Sequence, residues 1–467
     1  SYKADLGLYL GQDQYGYMYY NATGEKYNNS TGVSYGATYT HGDIIGIAFD
    51  ADAGSLTFYK NGTSQGEAYT GLSDFPYFFA VGSNNTNGTF NFGQRAFAYT
   101  PPTGYKALNT ANLPAPDIAD GSEYFDTLTW TGDSSGASRT LSGLAFGPDL
   151  VWAKGRNQAI SHQLTDIVRG AGATSLRTDD QRVEGADGTS AGYLSAFTSD
   201  GFETTSSSTN VYYNTNTYTY AAWCWDAGGS VSADNNTDGS ITSTVSANAT
   251  AGFSIVTWDG STANGTVGHS LGVAPSLIIF KRRNAVTSWP VYHSAISPSN
   301  VVYLNETAAQ ASSGNSFGST PTAPTNTVFS VGDRGDTNYG DMLAYCFAEV
   351  EGYSKFGSYT GNGSTDGVFV FCGFRPRWIM VKTSSNAYGW AIHDTTRQTY
   401  NEDERILQPN TSGAEATNSL WGVDILSNGF KWRNDGEVFN FSGYTYIFAA
   451  FAEHPTGGSG VSPATAR

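Results

Sequence analysis

The sequence predicts an all-β protein, and three observations carry that reading. Aromatic residues make up 14% of the chain, Gly numbers 56 and Met only 3. Aromatic and β-branched side chains suit a pleated, half-buried surface. Gly, Asn, Asp and Ser supply the turns that many short strands need. Second, apolar residues alternate with the period of a strand on either side of recognisable turn signals. Third, an apolar strand that follows a proline and ends in lysine recurs three times. With 467 residues the chain is too long for one core, so several domains are expected.

Charge and cysteine usage narrow the function. The formal net charge of −17, with Lys+Arg only 24, argues against nucleic-acid binding. Cys224, Cys346 and Cys372 are odd in number and show no CxxC spacing, so they are expected as small buried hydrophobes. No run of roughly 18 apolar residues exists to span a membrane as a helix. The chain opens Ser1-Tyr2-Lys3 without Met or a signal-peptide pattern, which suggests a fragment or a processed form.

The first element expected is a hairpin. Asp43–Asp50 and Ser55–Gly62 alternate in strand period around the turn Asp52-Ala53-Gly54, and Asn61-Gly62 is a second turn signal. Phe75–Val81 and Phe90–Gln94 read as further strands. The run GDIIGIAFDADAGSLTFYKNG, followed by FPYFFAVG and FNFGQRAFAY, resembles the C-terminal half of a SPRY domain. That resemblance implies a concanavalin-like β-sandwich over residues 1–100, with N-terminal strands incomplete. Residues 101–122, with Pro101-Pro102 and Pro114 and Pro116, read as a stiff linker.

From Tyr124 the chain repeats. The lysine-ended strands are Leu150–Lys154, Leu277–Lys281 and Trp378–Lys382. Upstream of each lies Trp130-Thr131-Gly132, Trp258-Asp259-Gly260 or Tyr359-Thr360-Gly361. Eight residues after each lysine stand His162, Trp289 and Trp390, and twelve after stand Asp166, His293 and Asp394. A Ser-Asp/Asn-Gly-Phe turn marks Ser199–Phe202 and Ser427–Phe430. Each unit closes on an apolar strand: Ala221–Trp225, Ala344–Glu349 and Ala449–Glu453. Such self-similarity predicts three homologous β modules of about 100 residues. The units are placed at 123–229, 251–353 and 354–455, with a polar connector at 230–250 and a tail at 456–467.

The runs GPDLVWAKGRN, AAWCWDAG, VGHSLGVAPSLIIFKRRN and CFAEVEGYSKFGSYTGNGSTDGVFVFCGFRPRWIMVK resemble an uncharacterised repeat domain of marine tailed-phage structural proteins, often found after a SPRY domain. The resemblance implies a location on the virion surface. It also implies a non-enzymatic fibre or adhesin that meets a host glycan or protein, with other virion proteins as partners and a homotrimer by analogy. A capsid-decorating protein without a host ligand is the alternative, and a polysaccharide depolymerase a third.

Candidate chemistry is sparse, and neither a cofactor nor a metal is expected. His162, His293 and His393 could form three equivalent sites, but no paired-His spacing accompanies them. Asp166 with Arg169, and Asp394 with Arg397, read as loop ion pairs, because the second unit has His293 and Ile296 instead. Asp234, Asn236, Asp238 and Gly239 match the start of a calcium loop whose twelfth residue is Val245 rather than Glu. Glu349, Glu351 and Asp424 are the carboxylates a glycosidase would recruit. Against that, Glu349 and Glu453 share a repeat position that Ala227 holds in the first unit. The ligand-binding candidates are the tyrosines Tyr212, Tyr213, Tyr218 and Tyr220, with strand packing as their other reading.

Overall fold

A computed structural model describes residues 10–73, 77, 79–82, 88–113, 115–205 and 210–458, and of 232–235 the backbone alone. The chain divides into two bodies, Ser1–Asn112 and Leu113–Arg467. The described residues contain no α-helix.

The smaller body has two three-stranded antiparallel sheets. One orders β1 (Met18–Tyr19), β2 (Glu25–Asn28) and β3 (Thr31–Ser34); the other orders β4 (Ile45–Asp50), β5 (Ser55–Lys60) and β6 (Thr63–Tyr69). The expected hairpin is β4–β5: the Asp50 carboxylate accepts from the backbone N–H groups of Asp52 and Ala53 at 3.0 and 2.9 Å. Asn61 and Gly62 take positive φ of 48° and 80°, the pair of angles a two-residue hairpin turn demands between β5 and β6. Tyrosines tie the sheets together. Tyr69 donates to the carbonyls of Met18 and Tyr27, and Tyr19 and Phe58 share a small core.

A Cβ on Gly62 would come within 2.6 Å of the Tyr99 ring. Gly62→Ala is therefore expected to cost about 1–2 kcal/mol locally. Hydrogen exchange of the β5–β6 amides should rise roughly tenfold, and unchanged protection would contradict this.

The expected strand Phe90–Gln94 is a turn. The Asn91 side chain accepts from Gly93 N–H and donates to the carbonyls of Arg95 and Ala96, which turns the chain back on itself. Of Phe75–Val81, Phe75, Pro76 and Phe78 lie outside the described residues, and Tyr77 and Phe79–Val81 form no strand.

The larger body is built from one plan used three times. The first unit has β7 (Phe125–Thr131), β8 (Arg139–Ser142), β9 (Leu150–Gly155), β10 (Gln163–Asp166), β11 (Leu194–Thr198), β12 (Gly201–Thr204) and β13 (Thr219–Trp225). Its main sheet runs β10-β9-β13-β7 and its small sheet β11-β12-β8. The second unit has β14 (Ser232–Asn236), β15 (Ser243–Asn248), β16 (Phe253–Gly260), β17 (Gly265–Gly268), β18 (Leu277–Arg282), β19 (Pro290–His293), β20 (Asn300–Tyr303), β21 (Ala311–Ser312), β22 (Val328–Val331) and β23 (Gly340–Phe347). The order β19-β18-β23-β16 repeats the first unit, and β17 pairs with β22. The third has β24 (Ser354–Thr360), β25 (Phe369–Phe371), β26 (Phe374–Thr383), β27 (Trp390–Asp394), β28 (Arg405–Ile406), β29 (Ala416–Thr417), β30 (Val423–Leu426), β31 (Gly429–Trp432) and β32 (Thr445–Pro455). Its sheets run β27-β26-β32-β24 and β30-β31-β25.

The central strands of each main sheet are buried on both faces, which is why they read as unbroken apolar runs. On β9, Val151 and Ala153 face their own small sheet with Leu141 and Phe202. Leu150 and Trp152 face the other way, into a centre shared by all three units. There Trp225 lies 4.8 Å from Phe125, 6.0 Å from Phe347, 5.8 Å from Trp378 and 5.7 Å from Phe451, ring to ring. The centre is closely filled, with an apolar cavity of only about 20 Å³. The units thus form a closed circle rather than beads on a string.

Two features differ from expectation. Residues 230–250 are the hairpin β14–β15, which extends the second unit's sheet beyond β16. Their Ser-rich composition suits a strand because the buried hydroxyls of Ser243 and Ser246 each donate to a backbone carbonyl, of Gly268 and Ala227. The linker expected to reach 122 ends earlier, since Ile118 is already buried in the shared core.

Candidate functional site

The lysine that ends each repeated strand is buried and caps carbonyls of a neighbouring unit. Lys154 donates to Ser412 of the third unit at 3.2 Å, Lys281 to Gln181 of the first at 3.1 Å, and Lys382 to Thr307 of the second at 3.0 Å. Burial pushes each ammonium down to about 8. The residue eight positions on does the same: His162 bonds the Gln408 carbonyl, Trp289 that of Arg177 and Trp390 that of Tyr303.

The residue twelve positions on meets the closing strand of the next unit. Asp166 accepts from Tyr345 at 2.8 Å and Asp394 from Trp223 at 2.9 Å. In the second unit the facing position is Ala449, which has nothing to donate. There His293 reaches the neighbouring Phe448 carbonyl at 3.1 Å. The exchange of Asp for His follows from its partner, because a carboxylate cannot bond a carbonyl and an imidazole N–H can.

Two joints carry a second charged layer. Arg169 bonds Asp166, and Glu184 bridges Arg169 to Arg283 of the second unit. Arg397 bonds Asp394, and Glu415 bridges Arg397 to Arg156 of the first unit. In both, the glutamate N–H also donates to the carbonyl of the arginine across the joint, and Gln310 N–H to Ser384 O is the same bond in the third joint. That joint has no ion pair in this layer, with Ile296 where the others have arginine. Asp166–Arg169 and Asp394–Arg397 are thus the local ion pairs expected, and each also reaches across a joint between units.

The histidines occupy three different places, so no triplicate site exists. His162 and His293 are joint residues at successive repeat positions, while His393 Nδ1 lies 3.1 Å from Asp403 within its own unit. At His162, Nδ1 accepts from Trp152 Nε1, which leaves Nε2 to carry the proton toward Gln408. At His293, Nδ1 accepts from Ala295 N–H, and Nε2 again faces a carbonyl. Burial holds both well below the ordinary imidazole value, His293 at about 4.

The other candidates are dispersed. Asn236 lies on β14 and bonds Asp238 and Ser270; Gly239 packs on Thr266, and Val245 is buried. Among the described residues no cluster of three metal-ligating side chains occurs. Glu349 pairs with Lys355, Asp424 with Arg433, and Glu453 with Arg375, while Glu351 is exposed. Ala227 N–H donates to buried Asp149. All three cysteines are free and buried.

Of the four tyrosines, Tyr212, Tyr213 and Tyr220 are buried and only Tyr218 is partly exposed. Tyr220 stacks on Trp130 at 5.3 Å, and Arg177 lies over the Tyr212 ring. They form no exposed patch.

Sequence reasoning missed Glu184 and Glu415. It also missed the buried Asn214, Asn338 and Asn440 that each precede a closing strand. The asparagine signal was present in the first and third units, where each stands six residues before Tyr220 or Tyr446, but in the second Asn338 stands four before the equivalent Met342.

A SPRY domain model matches residues 1–95. The ATP-dependent RNA helicase DDX1 of Xenopus laevis is 33% identical over 107 residues, 22% of this chain and 14% of that protein. A probable ATP-dependent RNA helicase ddx1 of Dictyostelium discoideum is 33% identical over 105 residues, again 22% and 14%. The Drosophila melanogaster Ddx1 is 33% identical over 101 residues, 21% and 14%. The chain therefore spans 14% of the length of these relatives, in their SPRY region and not their helicase domain. These matches overturn the virion fibre, adhesin or decoration expected from the sequence: the relatives are eukaryotic helicases, and nothing points to a phage particle. The virion location and partners and the trimer by analogy rested on that reading. No solved structure matches the chain. A model described as a domain of unknown function, DUF7483, matches residues 120–455, and the chain belongs to that family.

Proposed function

We propose that the protein is a non-enzymatic binding protein, in which a SPRY-like sandwich and a closed three-unit β body present surfaces to a protein or glycan partner. One observation supports this above the rest. The buried titratable groups that the repeats hold in common are engaged in joints between units, with their donors and acceptors facing neighbouring backbone. Catalysis needs such groups in a cleft, aimed at a substrate. The carboxylates Glu349 and Asp424 are each paired with a cation instead.

The test is release of reducing ends from a panel of polysaccharides by the purified full chain. No release above buffer is expected. Sustained release that disappears in Glu349→Gln or Asp424→Asn would replace this reading with a depolymerase.

A further inference from the structure

The three small sheets act as controls for one another. Leu141 of β8, Val267 of β17 and Val370 of β25 hold the same place, each paired with a phenylalanine: Phe202, Phe329 and Phe430. The far side of each strand is a sheet edge, and the three edges are treated differently. In the second unit the edge is covered. Ile241 bridges to Val267 in parallel, its N–H donates to Thr266 O at 2.9 Å, and its side chain packs on the core. In the first unit the edge reads Arg139-Thr140-Leu141-Ser142, and a charged, polar edge resists pairing.

In the third unit the edge reads Phe369-Val370-Phe371. Phe369 is 43% exposed and Phe371 60%, and among the described residues no strand pairs with their outer side. They stand where the first unit has Thr140 and Ser142, so the fold itself does not call for aromatic rings there.

We propose that β25 is a dimerisation edge, pairing antiparallel with β25 of a second copy about a two-fold axis through Val370. The sequence Phe-Val-Phe is self-complementary under that operation: Phe369 falls opposite the second copy's Phe371, and Val370 opposite Val370. Trp432 N–H donates to Val368 O and Cys372 N–H to Asn428 O, so residues 368, 370 and 372 turn their polar groups toward β31. By alternation, Phe369 and Phe371 turn theirs outward, as Thr266 does in the covered edge. The pairing thus joins the outward N–H and C=O groups and sets aromatic rings side by side across the strands. An isologous contact of this kind closes on itself as a dimer. The interface is small, and two copies of charge −17 repel, so association is weak and strengthens with salt.

Sedimentation equilibrium of the full chain tests this. The average mass is expected to rise with concentration from 49.7 kDa toward twice that, more steeply at high salt. The double variant Phe369→Thr/Phe371→Ser carries the first unit's residues and is expected to stay monomeric with unchanged thermal unfolding. A wild-type chain monomeric throughout, or association that the double variant retains, would overturn the proposal. Register is tested separately. A mixture of Phe369→Cys and Phe371→Cys chains is expected to form a mixed disulfide under mild oxidation, since paired Cα atoms about 5.5 Å apart can be bridged. Either chain alone is expected to cross-link less, and equal cross-linking by the single variants would exclude this pairing.

Discussion

Arg397→Met is expected to destabilise the larger body by about 3–5 kcal/mol, because it leaves buried carboxylates without their cation. The Arg397 and Asp394 side chains are 1% and 0% exposed. Arg397 also bonds Glu415 at 2.8 Å and the Ile392 carbonyl at 2.8 Å. Burial alone would raise the Asp394 carboxyl, yet Arg397 beside it holds it below its ordinary value. The same opposition acts on Glu415, with Arg156 and Arg397 prevailing. Urea unfolding followed by tryptophan fluorescence reads the effect cleanly, since all ten tryptophans lie beyond residue 112. The double variant Asp394→Asn/Arg397→Met removes both charges of the pair and is expected to recover most of the loss. The joint at His293 and Ile296 shows that the fold tolerates such a contact without an ion pair. A loss under 1 kcal/mol for the single variant, on the order of a surface pair, would mean the joint is open to water.

Acid is expected to weaken the same body before most carboxylates titrate. His293 is held at about 4, against about 6.5 in an unfolded chain. Below pH 6.5 the unfolded chain therefore binds a proton that the native chain refuses. Stability from this group is complete above pH 6.5, falls as pH drops toward 4, and falls no further below it. The difference amounts to ~3 kcal/mol at the lower end. His162, held neutral by its burial and by the Lys154 ammonium nearby, adds a loss of the same sign. The unfolding free energy, measured from pH 7.5 to 4, should show this slope, and His293→Gln should flatten part of it. An equal slope in both proteins would mean that His293 contributes nothing to it.

The repeat was legible because strands buried on both faces leave continuous apolar runs, and those runs carried fixed landmarks. What the landmarks do was not legible. Lys154, Lys281 and Lys382 find their partners across the circle, and one-dimensional spacing cannot show that. Glu184 and Glu415 escaped because they sit in loops of unequal length, where the register of the strands is lost. The hairpin at 230–250 escaped because its hydroxyls bond carbonyls, so its composition mimics a linker. The tyrosines Tyr212, Tyr213 and Tyr220 resembled a binding patch because packed and exposed aromatics look alike in a sequence. The expected strand at Phe90 failed on one side chain, Asn91, whose bonds to nearby backbone compete with a ladder.

The joint between the third unit and the first brings the two ends of the repeated region together: Gly121 packs on the Ala452 carbonyl. The order of units along the chain is then one of three ways to cut the same loop. Circular permutation that joins residue 455 to residue 120 and opens the chain between the second and third units would preserve every joint. Deleting a unit would preserve only one and bare two apolar faces. The architecture tolerates a change in where the polypeptide starts, but not a change in how many units it has.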